Sequence, residues 1–259
     1  MRAPAAAAFE VTPVECNWEP RQDSMLKRAK TLAKLLDVLG PLATFWFVVD
    51  RLLQHVSKAR VLLVFLREPE LLAGLDPMLP SGVAARVRRP DQLGKLAAAC
   101  AEMLGTDFLA EARSNGAECV VILDGETVVS FQWLSERLTW AYDDIWIGFG
   151  PRYLYGYHSF TAPSHRGRRL NYSGVVIAAQ ALAVPRVKGL AGYILGSNVP
   201  SLLAHSRVSR QYSGIVGVWP QGKGGLRTFA SRSLRVAGLQ IVRKAMKPAL
   251  ANLKVGSPS

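Results

Sequence analysis

One stretch constrains the fold more than any other. "CVVILDGETVVSFQWL", Cys119 to Leu134, is two strand-like runs joined by Asp124-Gly125, a residue pair that tight hairpin turns prefer. Other strands lie within reach to complete a sheet. "RVLLVFLRE", Arg60 to Glu68, is a short apolar run, and "GVAARVRR" follows Pro80-Ser81. An aromatic strand is expected over Tyr153 to Thr161 and another over Gly189 to Ser197, with "YSGIVGVW" and "LRTFA" supplying the last. Helices fall between them. Residues 90–114 repeat Leu93, Leu96, Ala97, Met103 and Leu104 at helical spacing, and residues 170–184 run helically up to Pro185. Asn198 caps a further helix with Pro200 in its first turn. This order predicts a mixed α/β (α+β) fold around one central sheet.

The flanks read differently. Residues 1–23 are Ala/Pro-rich and expected to be irregular, and residues 24–59 form a helical amphipathic extension. "SMLKRAKTLAKLLDVLG" places Leu26, Ala29, Ala33 and Leu36 near one face, Gly40-Pro41 ends that helix, and a second apolar helix runs from about Leu42 to Val56. The pair reads as a packed helical hairpin. The alternative is a peripheral membrane arm over residues 24–57, since a basic amphipathic helix followed by "FWFVV" suits an interface. The longest uncharged apolar run, Val38 to Val49, is too short to span a bilayer. Residues 60–235 form the main domain and residues 236–259 a basic, weakly helical tail.

Charge narrows the partners. The formal net charge is +13, and all 19 acidic residues lie at or before Asp144. The 32 Lys and Arg residues divide evenly about that point, so everything after Asp144 is basic without relief. Such a field attracts polyanions: coenzyme A, an acidic acyl carrier protein, nucleic acid or an anionic membrane. It also denies the second half any carboxylate base or carboxylate metal ligand. Cys16, Cys100 and Cys119 are too few and too scattered for a disulfide framework or a zinc site, so no metal is expected. The start "MRAPAAAAF" is too weakly apolar for a secretory leader. A cytoplasmic protein is expected, with the inner face of a membrane as the place its arm would meet.

Two motifs carry a resemblance. Pro163 is followed by Arg166-Gly167-Arg168-Arg169-Leu170-Asn171 at the junction of a strand and a helix, and Asn198, Ser201 and Ala204 lie in register on the later helix. Over roughly residues 82–230 the chain resembles the GNAT superfamily of acyl-CoA-dependent N-acyltransferases. That resemblance implies a central mixed, mostly antiparallel sheet flanked by helices, with the Cys119–Leu134 hairpin as its second and third strands. It also implies that the R-x-x-G-x-G loop holds the pyrophosphate of acetyl-CoA or another acyl-CoA, by exposed amides and the helix dipole. Here both motif glycines are replaced, by Arg169 and Asn171.

The same resemblance assigns roles. Phe160, Thr161 and Ala162 would line the thioester, with Arg166, Gly167, Arg168, Arg169, Leu170, Asn171, Asn198 and Ser201 on the cofactor. The strand-four acidic position falls on His158 and the helical Tyr position on His205, so His158 is the expected base and His205 the acid. Tyr155, Tyr157 and Tyr212 are competing phenols, and Tyr157 stands with the catalytic candidates. Trp133, Trp140, Tyr142, Tyr155 and Trp146 lie on the expected acceptor side and would form the substrate pocket, with Asp143 and Asp144 as amine ligands. His165 would touch phosphate or solvent. The function implied is transfer of an acetyl or longer acyl group to an amine by direct attack. Two other readings stay open: an acyl-carrier-protein-dependent acyltransferase, and a non-catalytic binder of polyanions or nucleic acid, for which no motif speaks.

Overall fold

In a computed structural model, the structure describes residues 25–57, 59–94, 106–184, 186–205, 212–221 and 225–244. Expectations for residues 1–23, 95–105 and the chain beyond 244 lie outside these. Eleven strands are described among them. Eight form one sheet: β1 (Arg60–Arg67), β2 (Val83–Arg88), β3 (Glu118–Asp124), β4 (Thr127–Ser135), β7 (Tyr153–Thr161), β8 (Gly189–Leu195), β9 (Gly214–Pro220) and β10 (Leu226–Ala230), in spatial order β10-β9-β1-β8-β7-β4-β3-β2. Every described pairing is antiparallel except that of β7 with β8. The fold is thus mixed α/β, with a mostly antiparallel sheet and helices packed on it.

The smaller sheet was not legible in the sequence. It contains β5 (Thr139–Tyr142), β6 (Ile145–Gly148) and β11 (Gln240–Arg243), in order β11-β6-β5. The expectation of a weakly helical tail after residue 235 is corrected at Gln240–Arg243, which pairs with Gly148–Ile145 as a strand. β-branched Ile241 and Val242 sit comfortably in a strand. Only a short helix, α6 (Arg232–Val236), precedes them.

Strand alternation assigns the two faces of the large sheet. Leu62 and Val64 of β1 point into a core shared with Phe131, Trp133, Tyr155 and Tyr157, which the small sheet, α6 and α3 (Thr106–Ser114) cover. Leu63 and Phe65 point the other way, toward α1 (Met25–Val56) and α5 (Val199–His205). On that second face, α4 (Leu170–Ala178) continues as a π-helical turn, Ala179–Ala183, and packs against α2 (Pro69–Ala73) and Leu134, Leu154 and Leu190.

The helical extension is two helical runs that meet at a kink, as the sequence predicts. α1 breaks at Gly40 (φ 79°, ψ 173°), just before Pro41, so the expected stop is present without a separate hairpin loop. Its anchor is Asp50, which is fully buried and accepts hydrogen bonds from Val61 N (2.6 Å), Ser197 N (2.9 Å) and Gln54 Nε2 (2.7 Å). One carboxylate therefore ties α1 to β1 and to the turn that opens α5. Gly196 permits this approach: a Cβ there would stand 3.1 Å from the Asp50 Cβ and 3.3 Å from Trp46 O.

Candidate functional site

The β7–β8 pair does not run its full length. The parallel ladder joins Tyr153–Gly156 to Gly189–Gly192 and stops, while β7 continues to Thr161 and β8 to Leu195. Beyond Gly156, β7 pairs only with β4, and beyond Gly192, β8 pairs only with β1. The strands part into a wedge. Register against β4 slips at the same place, with Phe131 opposite Phe160 but Trp133 opposite Tyr157. His158 sits in this bulge with a φ of 44°, a left-handed conformation that glycine adopts more readily.

The bulge decides which amides face the wedge. Ala162 N donates to Val129 O of β4 at 2.9 Å, and Ser130 Oγ donates to Phe160 O at 2.6 Å. Residues 160 and 162 are thus turned to β4, so of Phe160, Thr161 and Ala162, the residues expected to line the thioester, the first and last have their backbone engaged by β4. By alternation, Ser159 and Thr161 turn theirs to the wedge.

The wedge leads to the turn before α4. Pro163–His165 is a short 3₁₀ turn, Gly167 has a φ of 82°, and Arg169 has a φ of 63°. A non-glycine residue in that region is strained by about 1 kcal/mol. The backbone at Arg169 is therefore glycine-like at the first of the two replaced motif positions. Arg166, Gly167, Arg168 and Arg169 are all exposed, while Leu170 is buried against Ile122 and Val129. Arg166 Nε donates to Thr161 O at 3.4 Å, and Arg169 Nη1 lies 3.4 Å from Met78 Sδ, away from the loop's centre. Asn171 is half-buried in the first turn of α4. His165 is held by Asp124 (3.1 Å) and Ser164 (2.9 Å), so it braces the loop against the β3–β4 hairpin.

The expected acid and base do not converge. His158 stacks on Trp140 and meets Phe108 and Tyr157 edge-on, with Nε2 3.2 Å from Trp140 O. His205 stacks on Phe65 across the sheet, on the opposite face. Burial lowers the His158 pKa to about 4, against a small opposing effect of the Trp140 carbonyl. Burial, then the Arg67 charge, lowers His205 to about 4 as well. Both are neutral at pH 7, so the imidazolium acid assigned to His205 is absent there. Tyr157 and Tyr155 are pushed well above the usual phenol range, chiefly by burial, and burial raises Tyr212 to about 12. Asn198 does cap α5, accepting from Ser201 N at 3.2 Å.

The proposed acceptor pocket is corrected. Trp133, Trp140, Tyr142 and Tyr155 belong to the buried core, with Trp133 at 0% exposure. Their burial is packing between the two sheets and leaves no open wall. Trp140 Nε1 donates to Asp143 O at 2.8 Å in the β5–β6 turn, Asp144 is ion-paired with Arg243, and Lys244 lies over Trp146.

Sequence reasoning missed Gln132, Gly156 and Gly192. A Cβ on Gly156 would stand 2.7 Å from Gln132 Nε2, and one on Gly192 would meet only Gly156 O, at 3.8 Å. The root of the wedge is therefore floored by two glycines. Gln132 Oε1 is shielded there with no hydrogen-bond partner among the described residues. The signal was the pairing of Gly156 with Gly192, which only register reveals.

No family model matches the chain, and no curated protein matches it. Among solved structures, a Drosophila protein from a structural genomics programme is similar at 15% identity and a TM-score of 0.44, over 65% of this chain and 54% of that one. A functionally unknown conserved protein from Staphylococcus epidermidis is similar at 9% identity and a TM-score of 0.44, over 65% of this chain and 64% of that one. The chain thus spans less than two thirds of either structure. Among the described residues, no helix is long and apolar enough to cross a membrane.

Proposed function

We propose that the chain is a GNAT-like N-acyltransferase that moves an acyl group from an acyl-CoA thioester to an amine. The observation that carries this reading is the wedge between β7 and β8, opening beside an arginine-rich turn whose backbone is left-handed at Arg169. A strand-four and strand-five splay followed by a phosphate-holding loop is what the GNAT resemblance implies. Exposed Arg166 and Arg168 supply charge for phosphates, and the start of α4 supplies amides. The glycine floor admits a thin, unbranched chain such as a pantetheine arm.

The chemistry this arrangement favours is positioning and electrostatic stabilisation. The amine nitrogen attacks the thioester carbonyl carbon, and the Ser159 and Thr161 amides face the developing oxyanion. The C–S bond then breaks, and the proton lost by nitrogen reaches the thiolate through solvent. Neutral His158, with Nε2 toward Trp140 O, keeps the bulge in place and thereby aims those amides. An acyl carrier protein as donor remains the second form of the same proposal, since its acidic surface suits the basic turn.

Native mass spectrometry with acetyl-, malonyl- and long-chain acyl-CoA tests donor binding before any acceptor is known. Binding that Arg166→Ala/Arg168→Ala weakens supports the reading. Absence of binding to all three, with tight salt-dependent binding of DNA or RNA instead, overturns it in favour of a nucleic-acid binder.

A further inference from the structure

α1 is apolar on the side it turns away from the protein. Leu42, Phe45 and Leu52 are 62%, 56% and 61% exposed, and Val48 is 37% exposed. Their spacing of three, three and four places them on one helical stripe. The opposite side of the same segment is the buried one, where Asp50 and Thr44 accompany the packed rings of Trp46 and Phe47. A water-facing helix normally carries polar residues on its outer side.

A cleft opens beside the stripe. Leu42, Trp46, Leu63, Tyr212 and Ile215 line a cavity of about 160 Å³. Trp46 Nε1 is shielded from water and has no hydrogen-bond partner among the described residues. An apolar cleft with one unused donor suits a hydrocarbon chain that carries a carbonyl.

The charge beside the stripe is mainly basic. Between residues 38 and 67 the one acidic residue is Asp50, which is buried and fully engaged, whereas Arg51 is exposed; the exposed carboxylates Asp37 and Glu68 stand just outside that span. β10 adds to the same face: Arg227 pairs with Trp219 and Phe229 with Gly217, on the side of Ile215. Arg227 is exposed, Phe229 is 59% exposed, and Arg232 follows Ser231 at the cleft's edge. Apolar side chains beside exposed Arg51, Arg227 and Arg232 match an anionic bilayer surface rather than an acidic soluble protein, which would leave the apolar stripe wet.

The geometry points to α1 as a peripheral membrane anchor. Residues 42–52 lie in the interface of an anionic leaflet, Arg51, Arg227 and Arg232 meet its headgroups, and the cleft takes part of one lipid chain. This goes beyond the acyl-transfer reading and does not depend on it.

Vesicle co-sedimentation of the full chain tests the anchor, using phosphatidylcholine vesicles with and without phosphatidylglycerol. The expected result is retention on the anionic vesicles only, weakened by salt. Leu42→Asp/Phe45→Asp lowers it at least tenfold, and Arg227→Glu/Arg232→Glu lowers it severalfold, with thermal melting unchanged because all four side chains are exposed. Leu52→Glu alone is a second variant should the double one fold poorly. Equal retention of wild type and variants, or no retention, overturns the anchor. A lipid-free dimer in analytical ultracentrifugation that Leu42→Asp/Phe45→Asp dissociates also overturns it, and gives the stripe to a second copy.

Discussion

The two faces of the large sheet are built on different terms. One is covered by a second sheet, and its aromatic residues Trp133, Trp140, Tyr155 and Tyr157 are buried among the described residues. The other is covered by helices, which meet the sheet along narrower strips and leave a cleft under α1 and a wedge root of glycines under α4. Sheet-on-sheet packing fills a layer continuously, whereas helices on a twisted sheet leave gaps at their ends. The sheet-covered face thus fixes the shape, and among the described residues the helix-covered face holds the open cleft under α1 and the glycine pair at the wedge root.

If so, the helical face depends on its few polar anchors, and Asp50 is the first to break. Asp50→Leu leaves the Val61 and Ser197 amides buried without an acceptor. The expected loss is about 3 kcal/mol or more, measured as a lowered denaturation midpoint. Asp50→Asn, which keeps one carbonyl oxygen, loses less. A near-neutral Asp50→Leu would mean that α1 is held by its apolar contacts alone.

Acid distinguishes the faces next, because each holds one buried histidine. His158 and His205 both fall to about 4 in the folded state, below an unfolded value near 6.5. The folded chain binds fewer protons than the unfolded one in that window, so stability is full above pH 6.5 and falls as pH drops toward 4. Each shift is worth up to about 3 kcal/mol, and both side chains are more than half-buried, so screening trims this modestly. Urea titrations at pH 7.5 and 4.5 measure the slope. His205→Phe, which preserves the stack on Phe65, should flatten it, and His158→Asn, which tolerates the left-handed bulge, should flatten it separately. Parallel pH profiles for wild type and both variants would place the acid sensitivity in carboxylates instead.

The wedge is probed by filling its floor. Gly156→Val places a side chain against the end of Gln132, which is a flexible neighbour, so the fold should survive with a small loss of melting temperature. Binding of acyl-CoA should fall at least tenfold, or about 1.4 kcal/mol, by the overpacking of a site that admits only a thin chain. Unchanged affinity with a valine at this position would move the ligand out of the wedge.

How much of this could be read from residues alone follows the range of the interactions. The Asp124-Gly125 hairpin and the Asn198 cap are local, and both stand where the sequence puts them. β11 was missed because its partner lies about ninety residues away, Gln240 opposite Gly148, and no local pattern encodes that pairing, whereas β5 and β6 form a short local hairpin, Tyr142 opposite Ile145, whose aromatic composition reads as a pocket. The aromatic run Trp133 to Trp146 suggested a pocket because its composition is that of a binding surface. Burial between two sheets gives the same composition, and only the second sheet distinguishes them. His158 and His205 were aligned by motif spacing, which carries no information about the face on which each side chain ends. Gly156 and Gly192 became a site only through register.

The smallest expected effect concerns the position that first set this chain apart, Arg169. Its left-handed backbone is the one a glycine would hold without strain, and its guanidinium turns toward Met78 Sδ rather than into the loop. Two causes of affinity can therefore be separated. If the guanidinium grips phosphate, Arg169→Gly and Arg169→Ala weaken acyl-CoA binding alike. If the backbone does the gripping, Arg169→Gly recovers close approach while Arg169→Ala keeps the Cβ in the way. The orientation of Arg169 favours the second cause. Arg169→Gly should bind about threefold more tightly than Arg169→Ala, the scale of one exposed contact worth roughly 0.5–1 kcal/mol. Stability should move little between wild type and Arg169→Gly, because strain of about 1 kcal/mol relieved in the folded state is offset by the greater freedom of glycine in the unfolded chain. Isothermal titration of both variants, read beside their melting temperatures, checks the ordering. Arg169→Ala binding as tightly as Arg169→Gly would return the phosphate to the arginine side chains.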